Sequence, residues 1–78
     1  MKVRVKVFGY LRRYCNQESS REFAVPLPEN ATAKDLLESL SIPENEEMIL
    51  LINNAYSQKE RALQENDEVL VYPFIGGG

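Results

Sequence analysis

The sequence predicts an α+β domain in which one main helix covers one face of a mixed β-sheet. Three observations carry this reading. Residues 2–8 and 22–27 alternate apolar and polar positions with the two-residue period of half-buried strands. Residues 33–40 place apolar side chains at helical spacing, and residues 48–52 and 68–72 are short β-favouring runs bounded by turn residues.

In the first strand Val3, Val5 and Val7 fall on one side and Lys2, Arg4 and Lys6 on the other, so one face turns to a core. Gly9 breaks the alternation, and residues 11–20 read as a turn or a short irregular helical piece. Phe23, Val25 and Leu27 share a side of the second strand. Pro26 and Pro28 make that strand short or place it at a sheet edge, because proline has no amide to give to a ladder. Thr32 followed by Asp35 matches a capping box with Asp in place of Glu, and it opens the segment carrying Ala33, Leu36, Leu37 and Leu40. Ser41-Ile42-Pro43 is expected to end the helix, since proline disfavours helical geometry in the residue before it. Glu44, Glu46 and Glu47 read as a solvated loop. Met48–Ile52 is expected to run as a strand into a turn at Asn53-Asn54, with Tyr56 beginning a short return strand. Asn66-Asp67 marks a further turn, and Glu68–Tyr72 has the composition of an interior strand. With the helix as a long crossover, the first and last strands are expected to lie parallel and side by side.

A chain of 78 residues is expected to form one domain with a modest core. Twelve Asp and Glu against nine Lys and Arg give a net charge of −3, the wrong sign for a phosphate backbone, so no nucleic-acid partner is expected. Histidine is absent and cysteine single, which removes the nitrogen and sulfur donors of a zinc site and any Ser-His or Cys-His pair. The chain is therefore expected to be no enzyme, to hold no metal, and to rely on other proteins for catalysis. No apolar run of about 18 residues spans a bilayer, and the opening residues interleave charge with valine where an export signal needs an unbroken apolar stretch. Cys15 has no partner for an internal disulfide, and a lone thiol points to a reducing, cytoplasmic location.

The chain closes Val71-Tyr72-Pro73-Phe74-Ile75-Gly76-Gly77-Gly78. This divides it into a folded body, residues 1–73, and a flexible glycine tail, residues 74–78. Glycine has no Cβ and reaches both signs of φ at little cost, so such a tail can thread a narrow cleft and present its terminal carboxylate. Extended from Pro73 to Gly78 it reaches roughly 20 Å at about 3.3 to 3.6 Å per residue. If Val69 and Val71 face the core, alternation sends Leu70, Tyr72 and Phe74 to the face that the helix leaves uncovered. An exposed apolar strip beside the tail suits docking on an enzyme.

The segment Asn66-Asp67-Glu68-Val69, with Pro73 and the terminal glycines, resembles the close of MoaD and ThiS family sulfur carriers, which have the β-grasp (ubiquitin-like) fold. Val5-Lys6-Val7-Phe8-Gly9-Tyr10-Leu11-Arg12 resembles the first strand and turn of the MoaD branch, the small subunit of molybdopterin synthase. The resemblance implies activation by a partner adenylating enzyme of MoeB or ThiF type. ATP and magnesium would belong to that enzyme, and the product is a C-terminal thiocarboxylate that supplies sulfur for molybdopterin, with the synthase large subunit as acceptor. Gly78, or Gly77 after trimming, would carry the reacting carboxylate; Gly76 and Gly77 would give clearance, and Ile75, Phe74 and Pro73 would position the tail. A ThiS-type carrier for thiamine thiazole synthesis, and a ubiquitin-like modifier joined to protein lysines, use the same kind of terminus. The chain departs from the pattern in its third glycine and in Phe74, where MoaD-type chains often have a second proline.

Overall fold

The computed structural model describes residues 1–16 and 21–74. Its elements are β1 (Lys2–Val7), a 3-10 helix (Gly9–Cys15), β2 (Phe23–Pro26), α1 (Ala33–Ser39), β3 (Met48–Ile52), β4 (Ala55–Ser57) and β5 (Glu68–Pro73). The strands form one sheet in the order β2-β1-β5-β3-β4. β1 and β5 are parallel neighbours, with Val5 opposite Val69 and Val7 opposite Val71. The remaining pairs, β1 with β2, β3 with β5 and β3 with β4, are antiparallel. This is the β-grasp arrangement, with the last strand interior and the proline-bearing β2 at an edge, as expected.

Alternation decides what each strand buries. Val3, Val5, Val7, Val69, Val71 and Ile52 are buried on the inner face, against Leu36 and Leu37 of α1. Leu11 of the 3-10 helix and Leu63 of the chain before β5 complete this core. Neither stands out in the sequence, since each is a lone apolar residue in a polar segment. The stretch around Leu63 is held to the helix start by backbone bonds from Ala33 N–H to Arg61, Lys34 N–H to Lys59, and Leu63 N–H to Ala31.

The capping box forms as expected: the Thr32 hydroxyl accepts the Asp35 amide, and the Asp35 carboxylate accepts the Thr32 amide. The helix ends where expected, but a backbone cap ends it before the proline does. Ser41 adopts φ 63°, its amide bonds to the Glu38 carbonyl, and the Ile42 amide reaches back to Leu37. That is a Schellman motif, with buried Ile42 and Leu37 as its hydrophobic pair, so the helix stops before Pro43 is reached. The left-handed conformation is otherwise almost the property of asparagine, at Asn16, Asn30, Asn53, Asn54 and Asn66. Asn53 and Asn54, at φ 52° and 69°, form the two-residue turn that joins β3 to β4 with the twist a hairpin needs.

The turn before β5 is built around Asp67, whose side chain is the only polar one among the buried described residues. Its carboxylate accepts the Gln64 amide at 2.8 Å and the Asn53 side-chain amide at 2.9 Å. Asn53 in turn accepts the Glu68 amide at 3.0 Å, so one pair of side chains joins the start of β5 to the turn between β3 and β4. Replacing Asp67 by Ala removes the acceptor of two donors on exposed residues, which water can reach in part. The expected cost is about 2 kcal/mol of unfolding free energy in urea titration, whereas a variant at the exposed Gln64 should stay within about 0.5 kcal/mol.

Candidate functional site

The sheet has one helix-covered face and one face that no described element covers. Register places Arg4, Lys6 and Phe8 of β1 and its continuation beside Glu68, Leu70 and Tyr72 of β5 on this outer face. Ile49 lies opposite Tyr72 and Leu51 opposite Leu70, while Tyr56 of β4 lies opposite Leu51. The face is graded along β5. At the start of the strand Arg4 lies 3.9 Å from both Glu22 and Glu68, a loose and exposed charge cluster. Toward its end the ring of Phe8 stacks flat on Tyr72, with centroids 4.3 Å apart. Leu70 and Tyr72 are half-buried, Phe74 is 49% exposed and Tyr56 is 82% exposed. The apolar strip expected from Leu70, Tyr72 and Phe74 therefore exists. It is wider than alternation within one strand reveals, because Phe8, Ile49, Leu51 and Tyr56 join it from neighbouring strands.

The end of β5 is held on both sides. Pro73, the last residue of the expected folded body, is the last residue of β5 and pairs with Met48. Phe74 N–H bonds to the Glu47 carbonyl, so the alternate position, the nitrogen of Pro73, faces the β1 side. There Phe8 N–H still bonds to the Val71 carbonyl, and the ladder between β1 and β5 ends at the proline, which has no amide to extend it. Gly9 has φ +64°, and a Cβ on it would stand 2.7 Å from the Pro73 ring. Both the left-handed backbone and the close approach of proline demand glycine at this place. Ile75, Gly76, Gly77 and Gly78 lie outside the described residues.

The loop before β3 is not merely solvated. Glu44 pairs with Lys34 at 3.3 Å, and its carbonyl accepts the Lys59 ammonium. Glu46 accepts the Tyr10 hydroxyl at 3.2 Å on one carboxylate oxygen and the Tyr14 hydroxyl on the other. Nothing in the local sequence signals this cluster, since Glu46 lies more than thirty positions from either tyrosine. Cys15 is half-buried against the core, in keeping with a structural thiol. Among the described residues no group of His, Cys, Asp or Glu is placed to hold a metal ion, and no helix is long and apolar enough to cross a membrane.

Partial desolvation, with the Glu46 hydrogen bond second, raises the Tyr10 phenol above its ordinary pKa. For Tyr14 the hydrogen bond to Glu46 leads and desolvation follows. A phenol raised in the folded state contributes stability that is complete below its unfolded value, about 10, and is lost as pH rises through the folded value. Lys34, raised mainly by its hydrogen bond to Glu44, acts with the same sign in the same window. Unfolding free energy should therefore fall as pH rises above about 10, and more shallowly in the Tyr10→Phe, Tyr14→Phe double variant, which keeps the lysine contribution. Equal slopes in denaturant titrations across that range would show that the clustered hydroxyls carry no linkage.

A model of the ThiS family matches residues 5–78. No curated protein matches the chain. Among solved structures, a protein from Pyrococcus furiosus described as subunit 1 of a molybdopterin converting factor is 27% identical. It superposes with a TM-score of 0.73 over 92% of this chain and 95% of that one. Small archaeal modifier protein 1 from Haloferax volcanii superposes over the whole of both chains with a TM-score of 0.73 at 20% identity. A chain from the complex of subunits 1 and 2 of the molybdopterin-converting factor of Helicobacter pylori also matches over both full lengths, with a TM-score of 0.64 at 19% identity. Because the family match takes in every element from the middle of β1 onward, the chain belongs to the ThiS family, the β-grasp sulfur carriers of MoaD and ThiS type that act as non-catalytic partners of enzymes.

Proposed function

We propose that this chain carries sulfur as a thiocarboxylate on its terminal glycine, Gly78, or Gly77 if the last residue is trimmed, for molybdopterin synthesis in the cytoplasm. A MoeB- or ThiF-like enzyme, holding ATP and magnesium, activates it. A carboxylate oxygen of the tail attacks the α-phosphorus, a P–O bond forms and pyrophosphate leaves. A sulfide-level nucleophile then adds to the acyl carbon and AMP departs, leaving the thiocarboxylate. The intermediate anhydride is needed because a carboxylate repels nucleophiles and offers no leaving group.

The observation that carries this reading is the family match itself, which runs on through Gly76, Gly77 and Gly78. The likeness to a molybdopterin converting factor subunit 1 favours the molybdopterin branch, and the Helicobacter pylori complex suggests a larger subunit as sulfur acceptor. The apolar outer face suits docking on both enzymes, since it runs along β5 to the base of the tail. Four residues follow Phe74, the last one tied to the sheet, and they span at most about 14 Å at roughly 3.3 to 3.6 Å each. An enzyme must therefore bring its reactive centre close to the end of β5. A second reading, conjugation to protein lysines as a ubiquitin-like modifier, is favoured by the likeness to small archaeal modifier protein 1.

Intact-mass spectrometry after incubation with the cognate adenylating enzyme, Mg-ATP and a sulfide source should show one oxygen replaced by sulfur. Deleting Gly77 and Gly78 should abolish the change. An unaltered mass in the full chain rejects the carrier reading, and covalent adducts on other proteins in cells support the modifier instead. On the outer face, Leu70→Glu should weaken binding to the adenylating enzyme by about tenfold or more while the melting temperature stays within a few degrees. Unchanged affinity would remove this face from the interface.

A further inference from the structure

The end of β5 leaves the sheet between two jaws. One is the start of the 3-10 helix, where Gly9 lies against the Pro73 ring. The other is the loop before β3, where the Glu47 carbonyl holds the Phe74 amide at 3.2 Å. Each jaw lies at the end of a ladder with β5: Phe8, before Gly9, bonds to the Val71 carbonyl, and Met48, after Glu47, pairs with Pro73, while no backbone bond joins one jaw directly to the other. Glu46 closes the gap between them. Its carboxylate, one residue from the Glu47 jaw, takes the hydroxyls of Tyr10 and Tyr14, the first of which is one residue from the Gly9 jaw.

We propose that Tyr10, Tyr14 and Glu46 form a clasp that holds the two jaws at a fixed separation and so sets the direction in which the acyl tail leaves the sheet. The three are positioning residues. They act through Gly9 and Glu47, the chain neighbours of Tyr10 and Glu46. The clasp adds to the reading of the chain as a carrier and rests on it for its consequence in catalysis. A role in stability alone accounts poorly for the arrangement, because Tyr10 is 42% exposed and hydrogen bonds in contact with water contribute little. Orientation is where so modest a contact has large effect, since a reacting group displaced by about 1 Å loses on the order of a hundredfold in rate.

The test compares Glu46→Ala, which opens the clasp, with Glu46→Gln, whose amide can accept from one tyrosine and donate to the other. Two measurements are made below the melting temperature of every variant. In the isolated protein, hydrogen exchange of the Phe74 amide should accelerate about tenfold in Glu46→Ala relative to the amides of Val5 and Val69, and return toward the wild-type value in Glu46→Gln. In ATP-pyrophosphate exchange with the purified MoeB- or ThiF-like enzyme, Glu46→Ala should lower kcat about tenfold with KM for the carrier within about twofold, since the docking face is intact. Glu46→Gln should recover most of kcat. Phe74 exchange that is unchanged in Glu46→Ala overturns the clasp, and so does a kcat equal to wild type. If wild-type protein is not adenylated at all, the carrier reading falls instead, and the exchange measurement alone decides whether the clasp holds the jaws.

Discussion

Val5 against Val69 and Val7 against Val71, all buried and paired in parallel, hold the first and last strands side by side at the centre of the sheet. The remaining structure depends on this constraint. Parallel neighbours cannot be joined by a tight turn, so the chain between them must cross over the sheet, and α1 does this while covering the inner face. Because β5 is interior, its backbone is bonded on both sides along most of its length, and it is a rigid base for whatever follows. Leu36 and Leu37 pack where the valine rows are exposed to them, and this one core serves the whole small domain.

The same pairing separates the duties of the two sheet faces. Inward positions carry valine and isoleucine and contribute stability. Outward positions run from the Arg4, Glu22 and Glu68 cluster to the Phe8 and Tyr72 stack, a change from charged to apolar along a single strand. The charged end offers exposed ion pairs at 3.9 Å, worth little by themselves, and the apolar end offers area whose removal from water favours association. The grading places the apolar end of the face at the end of β5. A partner that covers Leu70 and Tyr72 is thereby brought up to the residues after Phe74.

At the exit, conformation and packing act together. Gly9 is required twice over, by its positive φ and by the nearness of the Pro73 ring. Pro73 ends the strand without an orphaned donor, because proline carries no amide hydrogen to leave unpaired. The loop from Glu44 to Glu47 is anchored by Lys34, Lys59, Tyr10 and Tyr14, so an acidic run with the look of a solvated linker is a fixed wall of the exit.

Much of the fold was legible in the sequence because its signals are local. Two-residue alternation marks β1 and β2, Thr32 with Asp35 marks the start of α1, and Asn53-Asn54 marks the hairpin, each within a few positions of the chain. The candidate strip on β5 was legible for the same reason, as alternate residues of one strand share a face. Its full width was not, since Phe8, Ile49, Leu51 and Tyr56 come beside Leu70 and Tyr72 only once strand order and register are set. Leu11 and Leu63 are buried by elements that arrive from elsewhere in the chain. The meeting of Glu46 with Tyr10 and Tyr14 likewise needs the whole sheet in place. By itself the sequence determined the elements, the inward faces and the glycine terminus, because short-range periodicity and backbone sterics act residue by residue. The tertiary structure alone decided which outward residues form one surface and how the end of β5 is held, because those contacts join segments tens of residues apart and exist only after the central strands have paired.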